Sequence, residues 1–350
     1  MALRIEEIKE PGYERVVLGT NPEVGLTSYI AIHNTNRGPA CGGIRMLPYS
    51  GKEEALNDVL RLAKGMSYKS ALAELGFGGG KSVIIGDPST KRPELFHAFG
   101  ELLNQLNGKY IAAKDMNISS QDLAWTKERS KHVLGVVGEP GSSGDPSPVT
   151  ARGILRALEA TAEELTGKRS LAGLRVALQG IGYVGYSLAE KIVEAGGKIW
   201  VTDIDPKAVE RAVKELKATP VTLDEIYDVD CDVFSPSARG AILNQSTIPR
   251  LRCKAIVGCA NNQLATEADG MRLHERGILY APDYAINSGG IINIFIEYGG
   301  YDQNRAFAKA DGVYATLKEI YKRAKAQRTA PFVVADSLAE ERLGLTDAQR

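Results

Sequence analysis

Leu174-Arg-Val-Ala-Leu-Gln-Gly180-Ile181-Gly182-Tyr183-Val184-Gly185, the run Tyr186–Ala195 and then Lys198-Ile-Trp-Val-Thr-Asp203 together decide the fold of this chain. An apolar run enters a glycine-rich turn, a helical run leaves it, and a second apolar run ends on an acid. That context, rather than the three glycines alone, is what a dinucleotide site requires. Gly180 permits the tight turn, and Gly182 lets backbone approach a pyrophosphate. Gly185 allows close helix–strand packing, and the helix N-terminus favours phosphate charge. Asp203 is expected to accept hydrogen bonds from the adenosine ribose, with a charge that repels a 2′-phosphate. Ile204 and Asp205 follow it, with no arginine, so NAD is favoured over NADP. The competing reading is an α/β unit whose glycines are merely structural.

Working toward the N-terminus, a second informative stretch reads Gly65-Met-Ser-Tyr-Lys69-Ser-Ala-Leu-Ala-Glu-Leu-Gly-Phe-Gly78-Gly79-Gly80-Lys81. Ala55, Leu56, Val59, Leu60, Ala63 and Met66 recur at helical spacing, which places Lys69 near a helix end. The triple glycine is expected to end that helical region, with Ser82–Ile85 a short buried strand. Two ammonium groups facing one pocket repel each other, and burial adds to the effect. One lysine could then serve as a base while the other holds an anion. Solvated lysines at a helix end and after a turn are the alternative.

Arg15–Leu18 and Ser28–Ile32 carry strand patterns, whereas Pro39–Pro48, containing Gly42-Gly43-Ile44-Arg45-Met46, reads as a Gly- and Pro-rich loop. A helix from about Pro93 to Leu106 precedes the strand Tyr110–Ala113 and then Lys114-Asp115-Met116-Asn117. Alternating elements of this kind imply α/β architecture. Gly138-Glu-Pro-Gly-Ser-Ser-Gly-Asp-Pro-Ser-Pro-Val-Thr150 is the strongest boundary signal, with a helix expected from Ala151. Two domains follow, at 1–145 and 146–330, and a C-terminal helix over about 331–350 is expected to pack back on the first.

With 350 residues, 43 basic and 43 acidic, the chain has no net charge and no basic stripe. Bulk electrostatic binding to nucleic acid is disfavoured. No signal-peptide pattern or run long enough to span a membrane appears, so a soluble, cytoplasmic protein without a membrane partner is expected. Cys41, Cys231, Cys253 and Cys259 are scattered and read as reduced thiols, and the four histidines form no metal cluster.

Seven motifs in order carry a resemblance. They are Gly38-Pro-Ala-Cys-Gly-Gly-Ile-Arg-Met46, Lys64-Gly-Met-Ser-Tyr-Lys69, Gly78-Gly-Gly-Lys81, Lys114-Asp115, Pro146-Ser-Pro-Val-Thr150, Ala260-Asn-Asn-Gln-Leu264 and Pro282-Asp-Tyr-Ala-Ile-Asn-Ser-Gly-Gly290. The chain resembles the glutamate/leucine/phenylalanine/valine amino acid dehydrogenases, and most of all the leucine branch with its phenylalanine and tryptophan relatives. The resemblance implies a substrate domain and a doubly wound Rossmann-type domain with a cleft between them. It also implies reversible oxidative deamination of an L-amino acid with NAD to a 2-oxo acid and ammonium, in a homo-oligomer.

By matching position, Lys69 would bind the substrate carboxylate, Lys81 would activate water, and Asp115 would exchange protons with the amino group. Gly42 and Gly43 would line the carboxylate. Thr150, Ala238, Ala260, Asn261 and Asn262 would border the cofactor, alongside Gly180 to Gly185, Asp203 and Ile204, and Asn262 would also reach substrate. Asp115 as a helix cap, and Asn261 and Asn262 as turn residues, are the structural alternatives.

The implied pocket wall is Cys41, Met66, Ala113, Leu134, Ile291 and Ile294, all apolar. A charged substrate side chain would be buried there unpartnered, which disfavours glutamate. Leu134 stands where leucine dehydrogenases tend to carry threonine, and Ile291 and Ile294 where they carry valines. A narrower pocket suits leucine, valine or isoleucine. An aromatic amino acid dehydrogenase and a non-catalytic NAD-binding sensor are the rival readings.

Overall fold

The computed structural model describes residues 3–345 and divides into two compact units. Among the described residues, the first comprises 3–145 with 291–303 and 339–345, and the second comprises 146–290 with 304–338. An unbroken second unit over 146–330 is therefore corrected: 291–303 belongs with the first unit, and 331–338 with the second. The expected helix 331–350 is α12 (Pro331–Leu343), and 346–350 lies outside the described residues.

In the first unit, β1 (Arg4–Ile8), β2 (Arg15–Asn21), β3 (Leu26–Asn34), β4 (Ala40–Leu47), β5 (Gly78–Ile85) and β6 (Tyr110–Lys114) form one sheet. Its order is β1-β2-β3-β5-β4-β6. Neighbours from β1 to β5 are antiparallel, and β4 runs parallel to both β5 and β6. Helix α1 (Lys52–Leu72) covers one face, burying Ala55, Val59 and Ala63 against Val16, Tyr29, Ala31 and Val83. Acids in its first turn and Lys69 in its last complement the helix dipole. Helices α2 (Pro93–Asn104) and α3 (Ser120–Lys127) cover the other face. There Phe96, Phe99 and Leu103 pack with Ile30, Ile44, Ile84 and Tyr110. Each such side chain, fully buried, contributes about 1.5–3 kcal/mol.

Two expectations fail here, for one reason. The segment Pro39–Pro48 is not a loop: β4 is a central strand paired on both edges. Nor does Gly78-Gly79-Gly80 end the helical region, for these residues lie inside β5. The glycines are there because neighbouring backbone is too close for a side chain. A Cβ on Gly42 would stand 1.8 Å from the Gly80 carbonyl oxygen, and one on Gly79 2.0 Å from the Ser67 nitrogen. Crowding that only the folded sheet creates looks, in sequence, like turn chemistry.

The second unit begins with α4 (Ser147–Thr166), four residues earlier than expected, and continues through β7 (Arg175–Gln179), α5 (Tyr183–Glu194) and β8 (Lys198–Thr202). Then come α6 (Pro206–Leu216), β9 (Thr219–Pro220), β10 (Val233–Pro236), β11 (Ala255–Ile256), α7 (Glu267–Glu275) and β12 (Leu279–Tyr280). The sheet is parallel throughout, in the order β12-β11-β10-β7-β8-β9. This is the doubly wound arrangement, and its strand order reverses between β7 and β10. Short α8 (Asp283–Ile286) precedes α9 (Gly289–Tyr298), most of which belongs to the first unit. Helices α10 (Gln303–Asp311) and α11 (Val313–Gln327) then lead to α12.

Candidate active site

Lys81 sits mid-strand in β5, opposite Ala31 of β3, and is 5 % exposed. Strand alternation puts it on the same face as Val83, beneath α1. Its Nζ lies 2.7 Å from Oδ2 of Asp115, whose side chain is 26 % exposed. Asp115 follows β6 directly. It does not cap the next helix: α3 is capped by Ser119, in a capping box with Asp122. Instead Asn117, in the left-handed region at φ 59°, turns the chain after Asp115 and donates to the Met46 carbonyl at 3.0 Å.

Gly43 supplies the room for this pair, since a Cβ there would approach the Asp115 Cβ to 2.5 Å. Tyr110 Oη donates to the Gly42 carbonyl at 3.0 Å, tying β6 to β4 beside the site. Burial pushes the Lys81 amine down. Asp115 opposes that shift, and Arg45 adds to it. Asp115 titrates below its usual range, held there by Lys81 and Arg45 against the opposing effect of its own burial. The sequence reading gave the repelling role to Lys69 and assigned nothing to Arg45. Lys69 lies in the last turn of α1, half-buried.

Arg45 is the residue that sequence reasoning missed. Its Nε donates to Asp115 Oδ2 at 3.0 Å and its Nη1 to Asp58 Oδ2 at 3.0 Å. Tyr49 Oη donates to the same Asp58 oxygen at 2.8 Å. Its place in Gly-Gly-Ile-Arg, two residues past Gly43, was a usable signal. Asp58 offered none, because an acid on a helix surface is ordinary.

Among the residues of the implied pocket wall, Cys41, Ala113 and Ile291 are buried, and Met66, Leu134 and Ile294 are half-buried. All six belong to the first unit. The segment carrying Leu134 is drawn to α9: the Gly135 N–H donates to Glu297 Oε1 at 2.8 Å, and a Cβ on Gly135 would touch Ile294 Cδ1 at 3.0 Å. The Cys41 thiol is pushed up to about 12 by burial, so it is no nucleophile at neutral pH.

In the second unit the glycine turn joins β7 to α5, which starts at Tyr183, so Gly185 lies within the helix rather than before it. Gly180 has φ 103°, and its missing Cβ would lie 2.8 Å from Ala238, which follows β10 across the reversal of strand order. A Cβ on Gly185 would meet the Gly180 carbonyl at 2.1 Å. Asp203, just past β8, accepts the Ile181 N–H at 2.6 Å on Oδ2 and the Asp205 N–H at 2.9 Å on Oδ1. Its carboxylate is thereby locked to the turn. Beside it opens a cleft of about 630 Å³ lined in part by Pro206, Val209, Glu210, Leu223 and Asp224. Tyr183 and Ile204 are almost fully exposed. The adenosine diphosphate half of a dinucleotide would fit this set of residues: a carboxylate for the ribose, apolar walls for the base and an open helix N-terminus for phosphate.

Asn262 is left-handed at φ 51°, with its N–H donated to Asp283 Oδ2 at 2.8 Å. Asn287 Nδ2 donates to Asn261 Oδ1 at 2.9 Å and to the Cys259 carbonyl at 3.2 Å. The segment 259–262 is thus held from α8 and the residue after it. Thr150 is buried in the first turn of α4, against the close approach of Gly289.

The second unit is doubly wound and the first holds a buried lysine–carboxylate pair. Comparison with known proteins takes this further. Residues 16–132 match the family described as Glu/Leu/Phe/Val dehydrogenase, dimerisation domain, and 201–332 match Glutamate/Leucine/Phenylalanine/Valine dehydrogenase. The chain is 47 % identical to a leucine dehydrogenase of Thermoactinomyces intermedius, over 95 % of this chain and 91 % of that one. It is 44 % identical to a phenylalanine dehydrogenase of Bacillus thermotolerans, over 95 % and 88 %. The crystal structure of L-tryptophan dehydrogenase from Nostoc punctiforme superposes with a TM-score of 0.87 at 38 % identity, covering 97 % of each chain. The protein belongs to the Glu/Leu/Phe/Val dehydrogenase family and is an amino acid dehydrogenase that uses a nicotinamide cofactor. Among the described residues, no helix is long and apolar enough to cross a membrane.

Proposed function

We propose that this enzyme deaminates an L-amino acid with a branched aliphatic side chain, leucine, valine or isoleucine, using NAD. The observation that carries the chemistry is the 2.7 Å contact between the buried Lys81 amine and Asp115. The cofactor supplies the hydride acceptor that converts the amino acid to an imino acid. Lys69 binds the substrate carboxylate beside Gly42 and Gly43. Neutral Lys81 then takes a proton from water as the oxygen attacks the imino carbon, forming a carbinolamine. Asp115, which takes a proton from the substrate ammonium before hydride transfer, passes that proton to the carbinolamine nitrogen, and ammonia leaves as the hydroxyl proton goes to the Asp115 carboxylate and the 2-oxo acid forms.

The apolar wall of Cys41, Met66, Ala113, Leu134, Ile291 and Ile294 supports an aliphatic substrate over glutamate, whose carboxylate would find no partner there. Asp203, Glu210 and Asp224 gather three carboxylates around the adenosine cleft, which supports NAD over NADP by repelling a 2′-phosphate. Thr150, Ala260, Asn261 and Asn262 border the nicotinamide half of the cofactor, and Ala238 borders the cofactor beside the Gly180 turn. We infer a homo-oligomer, because residues 16–132 match a family description that names a dimerisation domain.

Purified enzyme with NAD or NADP and each of twenty amino acids, followed by absorbance of the reduced cofactor, tests this reading. The highest kcat/KM should fall on a branched aliphatic substrate with NAD. A preference for phenylalanine or tryptophan would overturn the substrate assignment.

A further inference from the structure

Beside Lys81 runs a chain of contacts, of which the reaction described above uses only the first. Asp115 Oδ2 receives both the Lys81 amine at 2.7 Å and Arg45 Nε at 3.0 Å. Arg45 Nη1 continues to Asp58, which also accepts from Tyr49 Oη at 2.8 Å and from Arg61 Nη2 at 2.9 Å. The Arg45 and Asp58 side chains are mostly buried, at 14 % and 16 % exposed, so water screens them poorly. Two arginines and two carboxylates balance when Lys81 is neutral, and a proton on Lys81 leaves one positive charge in excess. A guanidinium cannot relieve that excess by losing its own proton.

We propose that Arg45, braced by Asp58 and Tyr49, is a positioning residue for the reaction: it holds the Asp115 carboxylate against Lys81 and fixes the charge balance around that amine. The inference rests on Lys81 being the base. Arg45 opposes a proton on Lys81 and Asp58 favours one, through the same bridge. Their removal must therefore move the titration of the base in opposite directions.

The other titratable groups on the packed elements do not blur this. Cys41 on β4 is pushed up to about 12 and Tyr110 on β6 higher still, both by burial, while His33 on β3 is lowered to about 4. Lys64 and Lys69 on α1 and Lys114 on β6 are the same residues in every variant, while Arg61 loses its Asp58 partner in Asp58→Asn but stays a guanidinium, so its charge only adds to the excess that this variant creates.

The test is kcat/KM against pH for the parent, Arg45→Gln, Asp58→Asn, the double variant and Arg45→Lys, with nucleotide binding as a check on folding. The acid limb should move to higher pH in Arg45→Gln and to lower pH in Asp58→Asn. It should return toward the parent in the double variant. Arg45→Lys should keep the limb near the parent position while lowering kcat, because charge survives but the two-sided bridge does not. Should Arg45→Gln not fold, the isosteric Asp58→Asn and Arg45→Lys decide alone. A parent limb that stays in place in every folded variant, with only the plateau reduced, overturns the proposal and leaves the base intact. A parent without an acid limb, or normal turnover in Lys81→Ala, overturns the base and this proposal together.

Discussion

A buried amine serves as a base in its neutral form, and burial lowers the Lys81 pKa toward that form. Burial is the largest influence on it, and the neighbouring carboxylate restrains rather than reverses the shift. The sign for catalysis follows: the free amine is the active form, so deamination should rise with pH through the lowered pKa of Lys81 and then level off. A profile of kcat/KM that is flat from neutral to alkaline pH would contradict a lysine base. Lys81→Ala should lose about 10²–10⁴ in turnover, the usual worth of a general base, while nucleotide binding in the second unit is unchanged. Asp203 allows a separate check. Because its carboxylate is tied down by two backbone N–H groups, its charge stays at the glycine turn. Asp203→Ser should relax the preference for NAD, read as the ratio of kcat/KM with NAD and NADP. Equal ratios in parent and variant would remove Asp203 from that role.

At the level of elements, the lesson lies in β4 and β5. Glycine density predicts a loop at Pro39–Pro48 and a helix terminus at Gly78–Gly80, yet both segments are central strands. Local propensity was overridden because β3, β4, β5, β6 and α1 meet there with no room for side chains, and that closeness brings Lys81 and Asp115 together. Gly79→Ala tests it. The new Cβ would meet backbone of Ser67, at 2.0 Å from N and 2.3 Å from Cα, so no side-chain rotation can relieve the clash. Destabilisation of at least about 1–3 kcal/mol is expected, read as a lowered denaturation midpoint of the first unit. Unchanged stability would mean that α1 can move away from β5 at little cost. The helix α5 behaves differently. Strand, glycine turn and helix are adjacent in sequence, and so this turn was legible apart from three residues at the start of the helix.

For the whole molecule, the first unit is assembled from three stretches of chain, with Phe295 and Tyr298 returning to pack on Phe77 at ring distances of 5.2 and 5.4 Å. Stability against acid has a specific source in that unit. His33 is buried, bonded to Ser67 Oγ at 2.8 Å, and lowered from 6.5 to about 4, first by burial and then by Lys64. Since the unfolded chain binds this proton at higher pH than the native one, stability is full above the unfolded value and falls as pH drops toward about 4. The loss should reach about 3 kcal/mol at the lower end. Denaturant midpoints of His33→Asn should fall less steeply with acid than those of the parent, and equal slopes would exclude His33 as the source. What the sequence determined by itself were features encoded in neighbouring residues: the α/β alternation, the glycine turn with its acid, the boundary near Asp145, and the family motifs that contain Lys81 and Asp115. Tertiary structure alone decided that the glycine segments are strands, that α9 joins the first unit, and that Arg45 and Asp58 stand beside Lys81. These depend on contacts between residues far apart in the chain, where crowding, burial and charge exist only once the sheet has formed.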